Sequence, residues 1–355
     1  MPRKCTKCGE EINERTPLCF ACETFQTPEP LRPAPPEITD WNGEDSLSGI
    51  DLSYCDLSRV NLYRANLKEA DLHGAELQLA NLTDASLENA NLRGVNLVEA
   101  KMIKADLTGT ILDDAVLWGT NLSRVYLSGT SLKRAYLRDL DLRYAFIETE
   151  LTGSWLLDVD LRDSNLGSSN FVRARLVRVR LNNANLTGAD MMQAHLNDVD
   201  GSEVNMAQIN LGETHLENVD FSRSSLMNTN FRYSSLNLVN FTECDLRDSV
   251  FDEAMLRSIE FKDANLRGAR LRGADMAYSN LEAVSNLTFA NLENLYLDFI
   301  HPKRKDSSVV SRLRQINSLE GVTLPDGMVL PGINNITAPP SNAWRAAFNR
   351  WCGNL

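Results

Sequence analysis

Four of the seven cysteines lie in the first 22 residues, as Cys5, Cys8, Cys19 and Cys22. They form two C-x2-C pairs separated by ten residues. Each pair sets two thiolates on a tight knuckle, and two knuckles together supply the four sulfurs of tetrahedral Zn2+. A segment this short cannot build an apolar core, so metal binding would also be its folding energy. With four thiolates bound, no coordination position is left for catalysis, and the expected zinc is structural. A thioredoxin-like redox pair is disfavoured because no strand-helix-strand pattern surrounds either pair. Cys55, Cys244 and Cys352 are scattered and make no disulfide framework. Around the cysteines, Arg3, Lys4, Lys7 and Arg15 are opposed by Glu10, Glu11, Glu14 and Glu23, which leaves little basis for gripping phosphates. The stretch resembles the zinc ribbons at the ends of many bacterial proteins, which commonly serve as contact modules.

The rest of the chain offers little further chemistry. It contains no G-x-S-x-G, no glycine-rich phosphate loop and no H-E-x-x-H. The net charge of -12 argues against direct nucleic-acid binding and favours solubility. No apolar run is long enough for a membrane span, and no basic-then-apolar leader opens the chain. Both absences point to a cytoplasmic protein.

What must position any functional residue is a pattern of five, as in "ANLKEADLHGAELQLANL" at residues 65 to 82. Large apolar centres run every five residues from Leu47 to Ile147. After a four-residue step they continue from Leu151 to Leu281, and after a six-residue step from Leu287 to Leu297. That makes 51 centres, with one lapse at Gly201. Two residues before each centre lies a small residue, often Ala, and the residue just before it is often Asn or Asp. A helix would spiral such centres around its axis, and a flat strand would alternate them between faces. The pattern fits a chain that turns a corner each pentad and buries each centre against equivalents above and below.

Over residues 47 to 299 the chain resembles the pentapeptide repeat family, whose motif is A-(N/D)-L-x-x. The resemblance implies an all-β, right-handed quadrilateral β-helix with four pentads per coil. On that basis 51 centres give twelve to thirteen coils, a rod on the order of 60 Å long at strand spacing. Phe221, Phe241 and Phe261 would then form one interior stack, with Phe231 and Phe251 on the opposite side. His195 and His215, twenty apart, would stack side by side facing outward, a pattern that chance readily produces. The four-residue step from Ile147 reads as a tolerated deletion in preference to a bend.

The expected organisation is a four-cysteine zinc-ribbon-like module (1–24), a Pro-rich linker (25–40), the β-helix (41–299), a C-terminal cap (300–337) and an amphipathic helix (338–355). The linker has five prolines and reads as a semi-rigid tether. Residues 306–316 read as a short amphipathic helix and 322–330 as a hairpin, together forming the cap. In the last segment Trp344, Phe348 and Trp351 share a face that either folds back on the rod or makes a homodimer contact.

Two surfaces stand out as candidate partner contacts. Val116, Trp118 and Tyr136 take outward positions on one side, and Tyr126 and Phe146 on the opposite side. Between Arg180 and Arg223 there are seven acids and no Lys or Arg. One class within the resembled family imitates duplex DNA and protects DNA gyrase, and some of its members dimerise through their C-terminal ends. Here 24 bases within the repeats interrupt any continuous acidic column. The leading expectation is a non-enzymatic protein-interaction scaffold with a structural zinc module and a protein partner. The alternatives are a DNA mimic acting on gyrase or another DNA-binding protein, and an enzyme with a site between zinc module and rod. No catalytic set supports the last.

Overall fold

The computed structural model describes residues 46–145, 148–276 and 343–353, with positions 3–4, 11–12, 31–35, 38, 279, 284 and 330. The chain divides into two compact units, Met1–Asn165 and Leu166–Leu355. Each contains a right-handed quadrilateral parallel β-solenoid, and the coils number about 11 in all. The centres from Leu281 to Leu297, which raised the expected count, lie outside the described residues.

Hydrogen-bond accounting within one pentad explains the motif, because every backbone N–H needs a partner. Around Leu72, the amide of the centre donates to Asn91 O one coil on at 2.8 Å, and that of Gly74 to Arg93 O at 2.8 Å. Ala75 N–H closes the corner on Leu72 O at 3.0 Å, while Glu76 N–H reaches back one coil to Cys55 O at 3.0 Å. That leaves His73 N–H, which donates to the Asp71 side chain at 3.1 Å. Unit 2 repeats the scheme around Met191, where Met192 N–H donates to Asp190 Oδ1 at 3.0 Å. An Asn or Asp just before the centre therefore supplies the acceptor that the backbone lacks. Its amide also ties coils together: Asn81 donates to Asn61 at 2.9 Å, and Asn230 to Asn210 at 2.9 Å.

The residue two after the centre adopts a left-handed conformation, as at Gly74 (φ 66°), Gln193 (φ 60°) and Tyr233 (φ 58°). That value at the third residue of a four-residue turn matches type II geometry, which favours Gly or Asn. Inward positions are sealed. In unit 1 Leu52, Leu62, Leu72 and Leu92 are fully buried, and Ala65, Ala70, Ala75 and Ala80 sit beside the centres with no exposure. Where Thr replaces Ala its hydroxyl finds a backbone carbonyl, in the preceding coil for Thr120 (Leu97 O, 2.7 Å) and in its own coil for Thr214 (Leu211 O, 2.6 Å).

Unit 2 fills its interior with rings. Phe221, Phe241 and Phe261 stack at 6.0 and 5.5 Å, and Phe231 and Phe251 at 4.5 Å. The two stacks also meet edge to face, with Phe241 5.8 Å from Phe231 and 6.2 Å from Phe251. Gly201 lies one coil before Phe221, and a Cβ there would stand 2.9 Å from the Phe221 ring. The missing Leu thus makes room for the first ring of the stack.

Outside the corners, short strands line one side of each unit. In unit 1 a hairpin pairs β1 (Arg3–Lys4) with β2 (Glu11–Ile12). Next come β3 (Arg32–Pro33) and β4 (Cys55–Asp56), then the parallel set β5 (Val116–Trp118), β6 (Tyr136–Arg138) and β7 (Trp155–Leu157). In unit 2 the set is β8 (Arg175–Val177), β9 (His195–Asp200), β10 (His215–Asp220), β11 (Ser235–Asn240) and β12 (Met255–Arg257). The helix α1 spans Ala343–Gly353.

Bridges join residues twenty apart in both units, as in Asn61 with Asn81 and Asn210 with Asn230. Across the four-residue step the interval drops to nineteen, with Ser131 opposite Glu150 and Asp141 opposite Asp160. Asn165 N–H still bonds Ala145 O at 2.9 Å, so the ladder passes through a coil one residue short. Part of the expected tether is ordered against the solenoid: β3 pairs in parallel with β4, Arg32 opposite Cys55. The Arg32 amide donates to Tyr54 O at 2.8 Å, and Ile38 is buried. The expected 306–316 helix and most of the 322–330 hairpin lie outside the described residues, although Leu330 is fully buried.

Candidate functional site

Cys5, Cys8, Cys19 and Cys22 lie outside the described residues, but the strands that frame the first pair do not. β1 ends at Lys4 and β2 begins at Glu11, with Arg3 opposite Ile12 and Lys4 opposite Glu11. Cys5 and Cys8 lie in sequence between these two strands. Among the described residues no group of three or more His, Cys, Asp or Glu side chains could hold a metal. Cys244 is a core residue: its thiol donates to Phe221 O at 2.7 Å, and burial pushes its pKa up to about 12.

The candidate contact residues separate into exposed and covered ones. Tyr126 is 64% and Trp118 36% exposed. Val116 and Tyr136, at 3% and 6%, are covered, so they cannot contribute to an open aromatic patch. They lie opposite each other on adjacent strands, and Tyr136 lies opposite Trp155 in turn. Neighbouring side chains on one ladder face cover each other in this way. Trp118 is held by its own surroundings: its indole N–H donates to Asp139 at 2.8 Å, and the Arg138 guanidinium lies 4.6 Å from the ring centroid. Phe146 lies outside the described residues. Trp344 and Trp351 belong to α1, and their side chains are likewise outside the described set. Phe348 is 1% exposed within the single chain, so its own chain covers it.

Exposed apolar residues also occur where the pattern drew no attention. Tyr144, Tyr233 and Leu238 all occupy the left-handed corner position and project into solvent. The available signal was a bulky apolar residue two places after a centre.

Of the acidic run in unit 2, Asp198, Asp200, Glu217 and Asp220 lie on β9 and β10. Asp200 and Asp220 are in register on adjacent strands. Asp200 accepts from Asn182 at 2.7 Å, and Asp220 from Asn240 at 3.0 Å. With Asp198, Asn218 and Leu238 they line a shallow, open depression. Part of the run is neutralised, since Glu203 pairs with Arg223 at 3.0 Å. On the same side His195 and His215 stack at 4.9 Å, in register on β9 and β10. Burial, the neighbouring His215 and Arg175 all push the His195 pKa below its ordinary value. Among the described residues no helix is long and apolar enough to cross a membrane.

A family model described as pentapeptide repeats (8 copies) matches residues 46–84, 80–119, 110–145, 120–156, 160–198 and 259–298. A second, described as a pentapeptide repeat region, matches 202–271. A search of curated proteins finds no match. Among solved structures, the chain is similar to HetL, a pentapeptide repeat protein involved in heterocyst differentiation regulation from the cyanobacterium Nostoc sp. strain PCC 7120. The two are 22% identical over 82% of this chain and 98% of HetL, with a TM-score of 0.29. QnrB1, a plasmid-mediated fluoroquinolone resistance protein, is 16% identical over 54% of this chain and 87% of its own, with a TM-score of 0.20. Rfr23 from the cyanobacterium Cyanothece 51142 is 28% identical over 33% and 64%, with a TM-score of 0.16. With the pentad geometry and the family models in agreement over more than half its length, the chain belongs to the pentapeptide repeat family.

Proposed function

We propose that the chain is a non-enzymatic protein-interaction scaffold, with a structural zinc module at its N-terminal end and a protein partner. The observation that carries this reading is the division of labour within the pentad. Two positions fill the interior, one completes the hydrogen bonding, and the remaining two face outward and vary, the second within the left-handed corner. Sequence variation is thereby directed to outer faces, where Trp118, Tyr126, Tyr144 and Tyr233 are offered. Zinc at Cys5, Cys8, Cys19 and Cys22 is supported by the donor chemistry and by the spacing of the two pairs. Purified chain should carry about one zinc per molecule and lose it in Cys5→Ser/Cys8→Ser. A protein captured on the full chain should bind in a stoichiometric complex that Trp118→Ala or Tyr126→Ala weakens. A chain without zinc removes the module. A captured protein whose affinity is indifferent to both substitutions removes the faces that carry them.

A second reading, a DNA mimic acting on gyrase or another DNA-binding protein, is favoured by the in-register acids Asp200 and Asp220. Its gyrase-directed form predicts a two-fold dimer, with residues 338–355 as the candidate contact, and the burial of Phe348 within one chain weighs against that contact. Light scattering with and without those residues, beside a supercoiling assay, tests it. A monomer in both forms and unchanged supercoiling would remove this reading.

A further inference from the structure

At one corner of unit 1, cations and aromatic rings stand together in solvent. The residues two after a centre at this corner run Lys104, Arg124 and Tyr144 in successive coils, all left-handed (φ 57°, 58° and 61°). Lys104 N–H bonds Ser123 O at 3.0 Å, which sets Lys104 and Arg124 in adjacent coils. Lys101 lies three residues before Lys104, and Tyr126 two after Arg124, across the turn. All five are exposed, Tyr126 at 64% and Tyr144 at 70%. Among the described residues no carboxylate pairs with Lys101, Lys104 or Arg124, whereas Lys68 pairs with Glu88 and Arg134 with Asp114. The carboxylates close by are otherwise engaged. Asp141 holds Arg143 at 2.7 Å, and Asp106 accepts from Thr108 N–H at 3.0 Å. In a chain of net charge -12 this is a local positive surface with two open rings.

The backbone beneath is open as well. One coil earlier Met102 N–H bonds Asn121 O at 2.8 Å, and one coil later Leu142 N–H bonds Asp160 O at 2.8 Å. Between them, among the described residues, Leu122 N–H and Arg124 N–H meet no acceptor. The interior shows the same seam: Leu122 is 3% and Ala145 8% exposed, against 0% at Met102 and Ala105. Amide donors left without an acceptor favour a ligand that brings oxygen atoms.

We propose that this corner docks an acidic segment of a partner protein, one that carries an aliphatic or aromatic side chain among its carboxylates. The proposal rests on the scaffold reading above and names the chemistry of the partner. Charge complementarity selects the segment, because its carboxylates meet three cations that have no carboxylate of their own. Its apolar side chain lies on Tyr126 and Tyr144, and its oxygens suit the unmet amides of the seam. Adjacent coils are about 4.8 Å apart, so a few extended residues span the surface. Nucleic acid is disfavoured, since its affinity comes from many phosphates and three cations release few counterions.

The test is fluorescence anisotropy on the full chain with a labelled eight-residue peptide of Asp and Glu that includes one Phe and one Leu. The peptide should bind, and more weakly as salt rises. Lys104→Glu/Arg124→Glu should weaken it at least about tenfold. Tyr126→Ala/Tyr144→Ala should weaken it about fivefold, as should a peptide with Ser in place of Phe and Leu. Glu already occupies left-handed corners at Glu69 and Glu99, so the charge reversals suit the backbone and should leave melting unchanged. Lys262→Glu/Arg272→Glu in unit 2 makes the same change in net charge and should leave binding unaltered. No binding by about 1 mM peptide, or an equal loss in the unit 2 control, would overturn the proposal. So would an eight-nucleotide single-stranded DNA that binds more tightly and is lost in the same variant. A captured partner that Trp118→Ala weakens and Lys104→Glu/Arg124→Glu does not would sink the acidic segment and spare the scaffold.

Discussion

The two units use one backbone scheme with two interiors. Unit 1 is packed mostly with Leu centres beside Ala, and its strands β5–β7 are three residues long. Unit 2 carries two phenylalanine stacks in contact, and β9–β11 extend to six residues each. The pentad hydrogen-bond scheme is common to both, so the backbone sets the coil, while the interior side chains and the longer strands distinguish unit 2. Aromatic contacts add about 1 kcal/mol per pair beyond the area they bury. Unit 2 should therefore resist opening more strongly, and mutations should report that asymmetry.

The largest expected effect is at Phe241, which meets four other rings. Phe241→Ala should cost about 4 kcal/mol in chemical denaturation, against about 3 kcal/mol for Leu92→Ala in unit 1. Equal costs would end the claim that the ring stack distinguishes the units. Next comes Gly201→Leu, which forces a side chain against the Phe221 ring and should cost about 2 kcal/mol. Adding Phe221→Leu should recover much of that loss, and a double mutant no better than the single would show that Gly201 serves another purpose. Smaller still are the ladder amides. Asn81→Ala and Asn230→Ala should each cost about 1 kcal/mol, alike in both units because the ladder is shared.

The smallest effect belongs to His195. Its folded pKa lies below the unfolded value, so between the two the unfolded chain binds more protons. Stability therefore falls as pH drops through and below the ordinary histidine range. Melting from about pH 7.5 to about pH 5.5 should show a loss that His195→Gln reduces. A slope of the same size in the variant would assign it elsewhere.

The spacing of centres foretold a coiling chain, and the family resemblance set four pentads to the coil; together they foretold the twenty-residue register, the Phe stacks and the paired histidines. The docking of Arg32 was illegible, since it lies outside the period and depends on a corner formed by Asp51 and Ser53. The covering of Val116 and Tyr136 was missed for a different reason. The pattern tells which residues leave the interior, but only the ladder reveals what lies over them. Gly201 was visible as a lapse, and its cause became clear only with Phe221 placed one coil on. The four cysteines, outside the described residues, remain a matter of spacing and chemistry.

The twenty-residue register has a consequence for how such a chain can change over generations. Within either unit, loss or gain of four pentads removes or adds a storey and leaves every face at its former azimuth. Loss of one pentad keeps the same packing but turns all later faces by a quarter of a revolution. A lineage could therefore rotate its binding faces in a single event with little penalty to folding. Partner choice in such a protein can be rewritten by length as readily as by substitution.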